Sequence, residues 1–118
     1  MKRCYSLKRN KNFRRVYRKG KSVPGYQMVL IYARSREKKL HVGLSVSKKL
    51  GNSVVRNRVK RRLRESFTPL IPRVKTGYDL IFIAREPVVH EEFQNIGKAM
   101  RKLLRRADLL IEEDQGKE

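Results

Sequence analysis

Apolar residues along the chain fall into six periodic runs, and each run predicts one element. Phe13, Val16 and Tyr17 recur at i, i+3 and i+4, which predicts a helix over 10–19. Asn10 is placed to cap it, and Gly20 to take the left-handed position beyond its end. Residues 26–34 (YQMVLIYAR) are rich in β-branched and aromatic types and follow a turn at Pro24-Gly25. Residues 40–47 alternate, with Leu40, Val42, Leu44 and Val46 on one side and His41, Gly43, Ser45 and Ser47 on the other. The short link Arg34–Lys39 predicts that these two strands form an antiparallel hairpin.

A second helix is predicted over 53–67, capped by Asn52 or Ser53 after a turn at Gly51 and stopped by Pro69 and Pro72. Val55, Val59, Leu63 and Phe67 step by four and make its buried stripe. Residues 78–84 (YDLIFIA) are almost continuously apolar between Gly77 and Pro87, the pattern of a central strand covered on both faces. Asp79 and Glu86 flank a strand, and a capping role is one reading of them among others. From His90 to Leu110 the residues Phe93, Ile96, Met100, Leu103, Ala107 and Leu110 form one stripe of a long helix. Glu91 and Glu92 at its start and Arg105 and Arg106 near its end suit the helix dipole. The polar residues 112–118 read as a loose tail. The order α-β-β-α-β-α predicts one α+β domain, a two-layer sandwich with its core over about residues 7–111.

Charge changes this picture from a fold to a function. Residues 1–64 hold 22 Lys/Arg and one acid, Glu37, whereas residues 65–118 hold 9 Lys/Arg and 10 acids. The formal charge of +20 therefore sits in one half of the chain. Such a field repels itself, and the reason to keep it is a polyanion that exchanges its counterions for Lys and Arg. A membrane surface is disfavoured, because there is no apolar run near 18 residues and no recognisable signal peptide or lipidation motif. Nucleic acid is the better partner. A lone cysteine, Cys4, near a terminus expected to fray, fits a reducing cytoplasm.

The segment 48–64 (KKLGNSVVRNRVKRRLR) carries eight basic residues and no acid. On a helix, Asn57, Arg61 and Arg64 lie opposite the apolar stripe, with Arg58, Lys60 and Arg62 on its flanks and Arg56 reaching out along its stem. Guanidinium groups grip phosphate oxygens two at a time, and Lys48 and Lys49 bring further cations to the helix N-terminus, itself an anion site. The plainer reading is a solvated helix face, but such faces mix signs for i, i+4 pairing and this one does not before Glu65. A nuclear-localisation tag is disfavoured, because the run is woven into an amphipathic helix.

In the first helix Phe13 and Tyr17 stand among Lys11, Arg14, Arg15, Arg18 and Lys19. Aromatics among cations make a platform on which single-stranded bases stack, although the same stripe can equally be the core face of a short helix. For chemistry by the protein itself there is little. His41 and His90 stand apart from any Cys or paired carboxylate, and no phosphate-cradling or nucleophile motif is present. His41 reads as a polar-face strand residue able to meet a phosphate, and His90 as a helix-start residue.

The stretch Gly43–Phe67 (GLSVSKKLGNSVVRNRVKRRLRESF) resembles the arginine-asparagine-arginine signature of the bacterial ribonuclease P protein component, at Arg56-Asn57-Arg58 followed by Val59-Lys60-Arg61. The resemblance extends to Phe13 and Tyr17 before Gly20, the strand ending Val-Gly-Leu-Ser-Val, the Gly-Tyr-Asp strand and the closing helix. It implies a fold like the second domain of ribosomal protein S5, with one mixed sheet. It also implies a subunit that binds the catalytic RNA of ribonuclease P and helps cut the 5′ leader from precursor tRNA, with Mg2+ held mainly by RNA and no cofactor on the protein. Carried over, Lys48, Lys49, Asn52, Arg56, Asn57, Arg58, Lys60, Arg61, Arg62 and Arg64 would face the catalytic RNA. Phe13, Arg14, Tyr17 and Arg18, with Ile31 or Tyr32 and His41 from the facing strands, would line a leader cleft. Two positions depart from the family: some relatives have an aromatic at Ile31, and many have arginine at His41. The rival class is a structural ribosomal protein or general RNA chaperone, which needs no single-strand cleft. A stand-alone metal nuclease would need clustered carboxylates or histidines, and the sequence offers none.

Overall fold

The structure is a computed structural model that describes residues 5–7 and 10–111. The expectations for the Asn10 side chain, for Cys4 and for the tail 112–118 fall outside this described set. Among the described residues the order is α1 (Asn10–Lys19), β1 (Lys21–Pro24), β2 (Met28–Arg34), β3 (Leu40–Ser45), α2 (Ser53–Phe67), β4 (Tyr78–Ala84) and α3 (Phe93–Arg106). The strands form one mixed sheet in the order β1-β2-β4-β3.

The predicted hairpin of β2 and β3 does not form. β4 lies between them, antiparallel to β2 and parallel to β3. The cause is burial: Leu80, Ile81 and Phe82 of β4 have no exposed surface, so this strand must be covered on both faces and flanked on both edges. The link at 35–39 is long enough to step over it, since five extended residues reach about 17 Å and two strand spacings need about 10 Å. The link also clamps the start of β4, where Gly77 accepts from Ser35 N at 2.9 Å and donates to Lys39 O at 2.9 Å. Gly77 does this at φ +86, a left-handed conformation that favours glycine.

β1 escaped the hydrophobic pattern because it is a four-residue edge strand, KSVP, of which only Val23 is even partly buried. Its Lys and Pro suit an edge that must not recruit another strand. Gly20 before it is not left-handed. Instead it permits close approach: a Cβ there would lie 2.4 Å from Val16 O and 2.8 Å from Ile31 Cγ2.

α2 and α3 pack side by side on one sheet face. Val59, Leu63 and Phe67 of α2 and Ile96, Met100, Leu103 and Leu104 of α3 close over Met28, Leu30, Leu40, Val42, Leu80 and Phe82. The rings of Phe67 and Phe82 meet at 5.6 Å with a 60° tilt. α2 has the predicted bounds, with Asn52 as its cap and a 3-10 turn through Pro69 and Pro72 after it. α3 is shorter than its stripe. Residues 86–90, His90 included, form a separate 3-10 turn. At the other end Asp108 turns the chain at φ +60, so that Leu110 is buried by bridging Val74 rather than by continuing the helix.

Among the described residues, α1 is the one helix on the opposite sheet face. Val16 is buried there in a small cluster with Leu7, Ala33 and Ile81.

Candidate nucleic-acid interface

The basic helix α2 begins from a built turn. Ser47 Oγ accepts from Lys49 N at 3.0 Å, and Asn52 Oδ1 accepts from Val55 N at 3.0 Å. Gly51 between them has φ +147, and a Cβ there would come within 2.9 Å of Val55. Lys48 and Lys49 are exposed beside a helix N-terminus that has no acid in its first turn. That end of the molecule attracts anions through both the lysines and the free N–H groups.

Along α2, Asn57, Arg58, Arg61 and Arg64 are exposed and Arg56, Lys60 and Arg62 half-buried. Among the described residues none of these cations pairs with a carboxylate. Two do have internal partners. Arg56 Nε donates to Gly51 O at 3.2 Å and Arg62 Nη2 to Glu91 O at 2.8 Å. Arg62 is therefore partly a structural tie, joining α2 to the start of α3.

On the other face, α1 sits low because two glycines let it. Phe13 rests on Gly43, where a Cβ would lie 2.5 Å from the ring's Cζ, and Gly20 accommodates the helix end. Phe13, Ile31 and Ile83 are half-buried around the Val16 cluster. Tyr17, one turn on from Phe13, is 44% exposed, and Arg14 and Arg18 are exposed. Beside α1, then, half-buried aliphatic side chains, two aromatics and exposed cations lie together. Strand alternation decides between the two β2 candidates. Ile31 faces α1, whereas Tyr32 belongs to the α2/α3 face, where it meets Tyr78 edge-on at 6.4 Å. Tyr32 is thus on the opposite side of the sheet from α1.

His41 does lie on the α1 face, where its Nδ1 is 3.0 Å from Asp79 Oδ1 and its Nε2 lies 3.6 Å from Glu37 Oε1, beyond hydrogen-bond length. Asp79 is no cap. It is 3% exposed, opposite Ala33 and His41 in the sheet, and its second oxygen pairs with Arg15. Arg15 Nη1 also donates to Arg34 O at 3.2 Å.

Among the described residues no group of three or more His, Cys, Asp or Glu is placed to hold a metal ion, and no helix is long and apolar enough to cross a membrane. The sequence profile of the Ribonuclease P family matches residues 1–108. The ribonuclease P protein component of Thermoanaerobacter sp. is 43% identical over 108 residues, covering 92% of this chain and 93% of the relative. That of Oceanobacillus iheyensis is 44% identical over 112 residues, covering 93% and 92%. This chain belongs to the ribonuclease P protein family. The RNase P protein of Staphylococcus aureus superposes with a TM-score of 0.81 at 36% identity, over 89% of this chain and 96% of the other. A mutant of that protein described as defective in mRNA degradation superposes at 0.83 and 36% identity, over 90% of each chain. The Thermotoga maritima RNase P protein, at 24% identity and a TM-score of 0.79, covers 86% of this chain and 96% of its own length and shares the fold.

Membership of the ribonuclease P protein family makes this chain a protein component of an endoribonuclease ribonucleoprotein of tRNA processing, with RNA as its partner. Two features of this member escaped sequence reasoning. One is the Arg15–Asp79 pair, whose only sequence signal was an acid inside an otherwise apolar strand, where an unpaired carboxylate is costly. The other is a basic depression at the β1–β2 turn, lined by Tyr26, Arg85, Lys102 and Arg106. There Arg85 donates to Gly25 O at 2.9 Å and Arg106 to Pro24 O at 3.1 Å. The near-neutral charge of the second half of the chain concealed it, because the acids Glu91 and Glu92 precede α3 while its later turns are cationic.

Proposed function

We propose that this chain, in the bacterial cytoplasm, binds the catalytic RNA of ribonuclease P through α2 and the turn before it, and the 5′ leader of precursor tRNA through the groove beside α1. In this reading the protein holds the two RNAs together while the catalytic RNA, with its own Mg2+, supplies the chemistry that releases the leader. The observation that carries it is the exposed face of α2, where Arg58, Arg61 and Arg64 stand with no carboxylate partner among the described residues, on a helix capped at Asn52. Cations left unpaired on a rigid helix gain most from a phosphate backbone, by releasing its counterions. The groove adds what a purely structural RNA-binding protein does not need, a stacking wall at Phe13 and Tyr17.

The test is leader cleavage by a bacterial ribonuclease P RNA at low magnesium, with and without the protein. Cleavage that appears only with the protein, and weakens with Arg58→Ala or Arg61→Ala, supports the proposal. Binding of that RNA without rescue of cleavage favours the structural ribosomal or chaperone reading.

A further inference from the structure

We infer that the Arg15–Asp79 clasp is a positioning device that sets the height of the groove's aromatic wall and thereby the preference for precursor over mature tRNA. This rests on the groove reading above and deepens it. On a helix, successive residues are about 100° apart, so Arg15 projects about 100° to one side of Val16, Tyr17 about 100° to the other and Phe13 about 60° to that same side. Val16 is fully buried against the sheet and serves as the pivot. The clasp thus holds one flank of α1 while the two aromatics hang on the opposite flank.

Its geometry resists rotation rather than only separation. Arg15 pairs with Asp79 on β4 through Nη2 and donates to Arg34 O at the end of β2 through Nη1, so one guanidinium is tied to two strands. His41 approaches the other Asp79 oxygen at 3.0 Å and holds the carboxylate in place from β3. A rotation of α1 by about 10° would move a ring at a radius of about 6 Å by about 1 Å. That is enough to spoil a stacking contact. Stability alone does not explain such a pair, because a buried ion pair is commonly no more stabilising than an apolar pair of the same volume. What it adds is one defined geometry.

The experiment measures the affinity of the reconstituted holoenzyme for precursor and mature tRNA, alongside the protein's affinity for the catalytic RNA and its melting temperature. Variants are Asp79→Asn, Arg15→Ala, the double variant and, as a control on the groove itself, Phe13→Ala. Loss of the clasp is expected to lower the precursor preference roughly tenfold, about the worth of one stacked base, with kcat and catalytic-RNA affinity unchanged. The double variant should be no worse than either single one. Should a variant that strands the Asp79 carboxylate or its partner fail to fold, Arg15→Lys decides, because it keeps a cation beside Asp79 while losing the forked tie to Arg34 O. If Phe13→Ala lowers the preference and the folded clasp variants do not, the clasp is mere glue and the inference is overturned while the groove stands. If Phe13→Ala has no effect either, the groove reading falls and takes the clasp with it.

Discussion

The two faces of the sheet arise from the same alternation of side chains but reach different ends. On one face α2 and α3, of 15 and 14 residues, close over the strands, and the residues beneath them are almost wholly buried. On the other face α1 has only 10 residues, a rod about 15 Å long set on strands up to seven residues long and four abreast. It covers Ala33 and Ile81 but leaves Ile31 and Ile83 half-buried. Complete burial converts apolar area into stability, whereas incomplete burial leaves surface able to bind. The same strand, β4, serves both ends, with Leu80 and Phe82 toward the helix pair and Asp79 and Ile81 toward α1.

The largest effect that would test this division is Phe82→Ala. The side chain is fully buried against Phe67, and its loss should cost about 3–5 kcal/mol, a large share of the stability of a domain this size. Urea denaturation should show the drop, and RNA binding should fail only as folding fails. Gly43→Ala on the other face should invert the balance. Its Cβ would strike the end of the Phe13 ring, which can swing away, so stability should fall by only about 1–3 kcal/mol while leader preference falls markedly. A melting curve beside a precursor-binding measurement separates the two outcomes. Equal loss of both properties in both variants would dissolve the distinction between the faces.

What was legible in the sequence divides along the same line. α2 could be read almost to its ends because its causes are local: a cap at Asn52 or Ser53, of which Asn52 serves, the step of four in its stripe and the prolines beyond Phe67. The fully covered face was legible too, since Leu40 and Val42 announce burial by alternation and Leu80 by its place in a near-continuous apolar run. What could not be read depends on partners distant in the chain. The insertion of β4 between β2 and β3 is a competition among strands that no window along the chain contains. Ile31 and Tyr32 are neighbours in sequence, and only the register says which of them faces α1. Leu110 keeps the helical spacing of its stripe yet is buried by a bridge to Val74. The role of Asp79 stayed open in the sequence because Arg15, its partner, lies 64 residues away.

Within α2 the same contrast can be drawn one residue apart. Arg61 is exposed and has no partner among the described residues, whereas Arg62 donates to Glu91 O at 2.8 Å. Arg61→Ala should change stability by no more than about 0.5 kcal/mol and lower the slope of log affinity against log salt by about one, as for the loss of a phosphate contact. Arg62→Ala should do the reverse, costing about 1 kcal/mol or more of stability for a lost charged hydrogen bond and leaving the salt slope nearly unchanged. A salt titration of RNA binding and a melting curve for each variant make the comparison. Equal slopes would mean that α2 meets RNA as a diffuse field rather than through particular residues.

The smallest effect concerns Glu91, the carboxylate joint of the well-covered face as Asp79 is of the open one. Its side chain accepts from Asn95 Nδ2 at 2.9 Å and Gln27 Nε2 at 3.0 Å, tying the start of α3 to the strand turn, while its backbone carbonyl takes Arg62. Those hydrogen bonds, to Asn95 first and Gln27 second, favour the ionised form and hold the carboxyl below its usual 4.5. A group whose pKa is lowered on folding contributes stability that is complete above the unfolded value and is lost as pH falls through the folded one. The melting temperature of the protein should therefore exceed that of Glu91→Gln at neutral pH, and the gap should close only below about pH 4.5. Binding of precursor tRNA at neutral pH should hardly change, because no groove residue touches this joint. A gap that stays constant down to low pH would show that the hydrogen bonds matter but the charge does not. A gap that closes together with a loss of leader preference would mean that the two faces are coupled through the sheet after all.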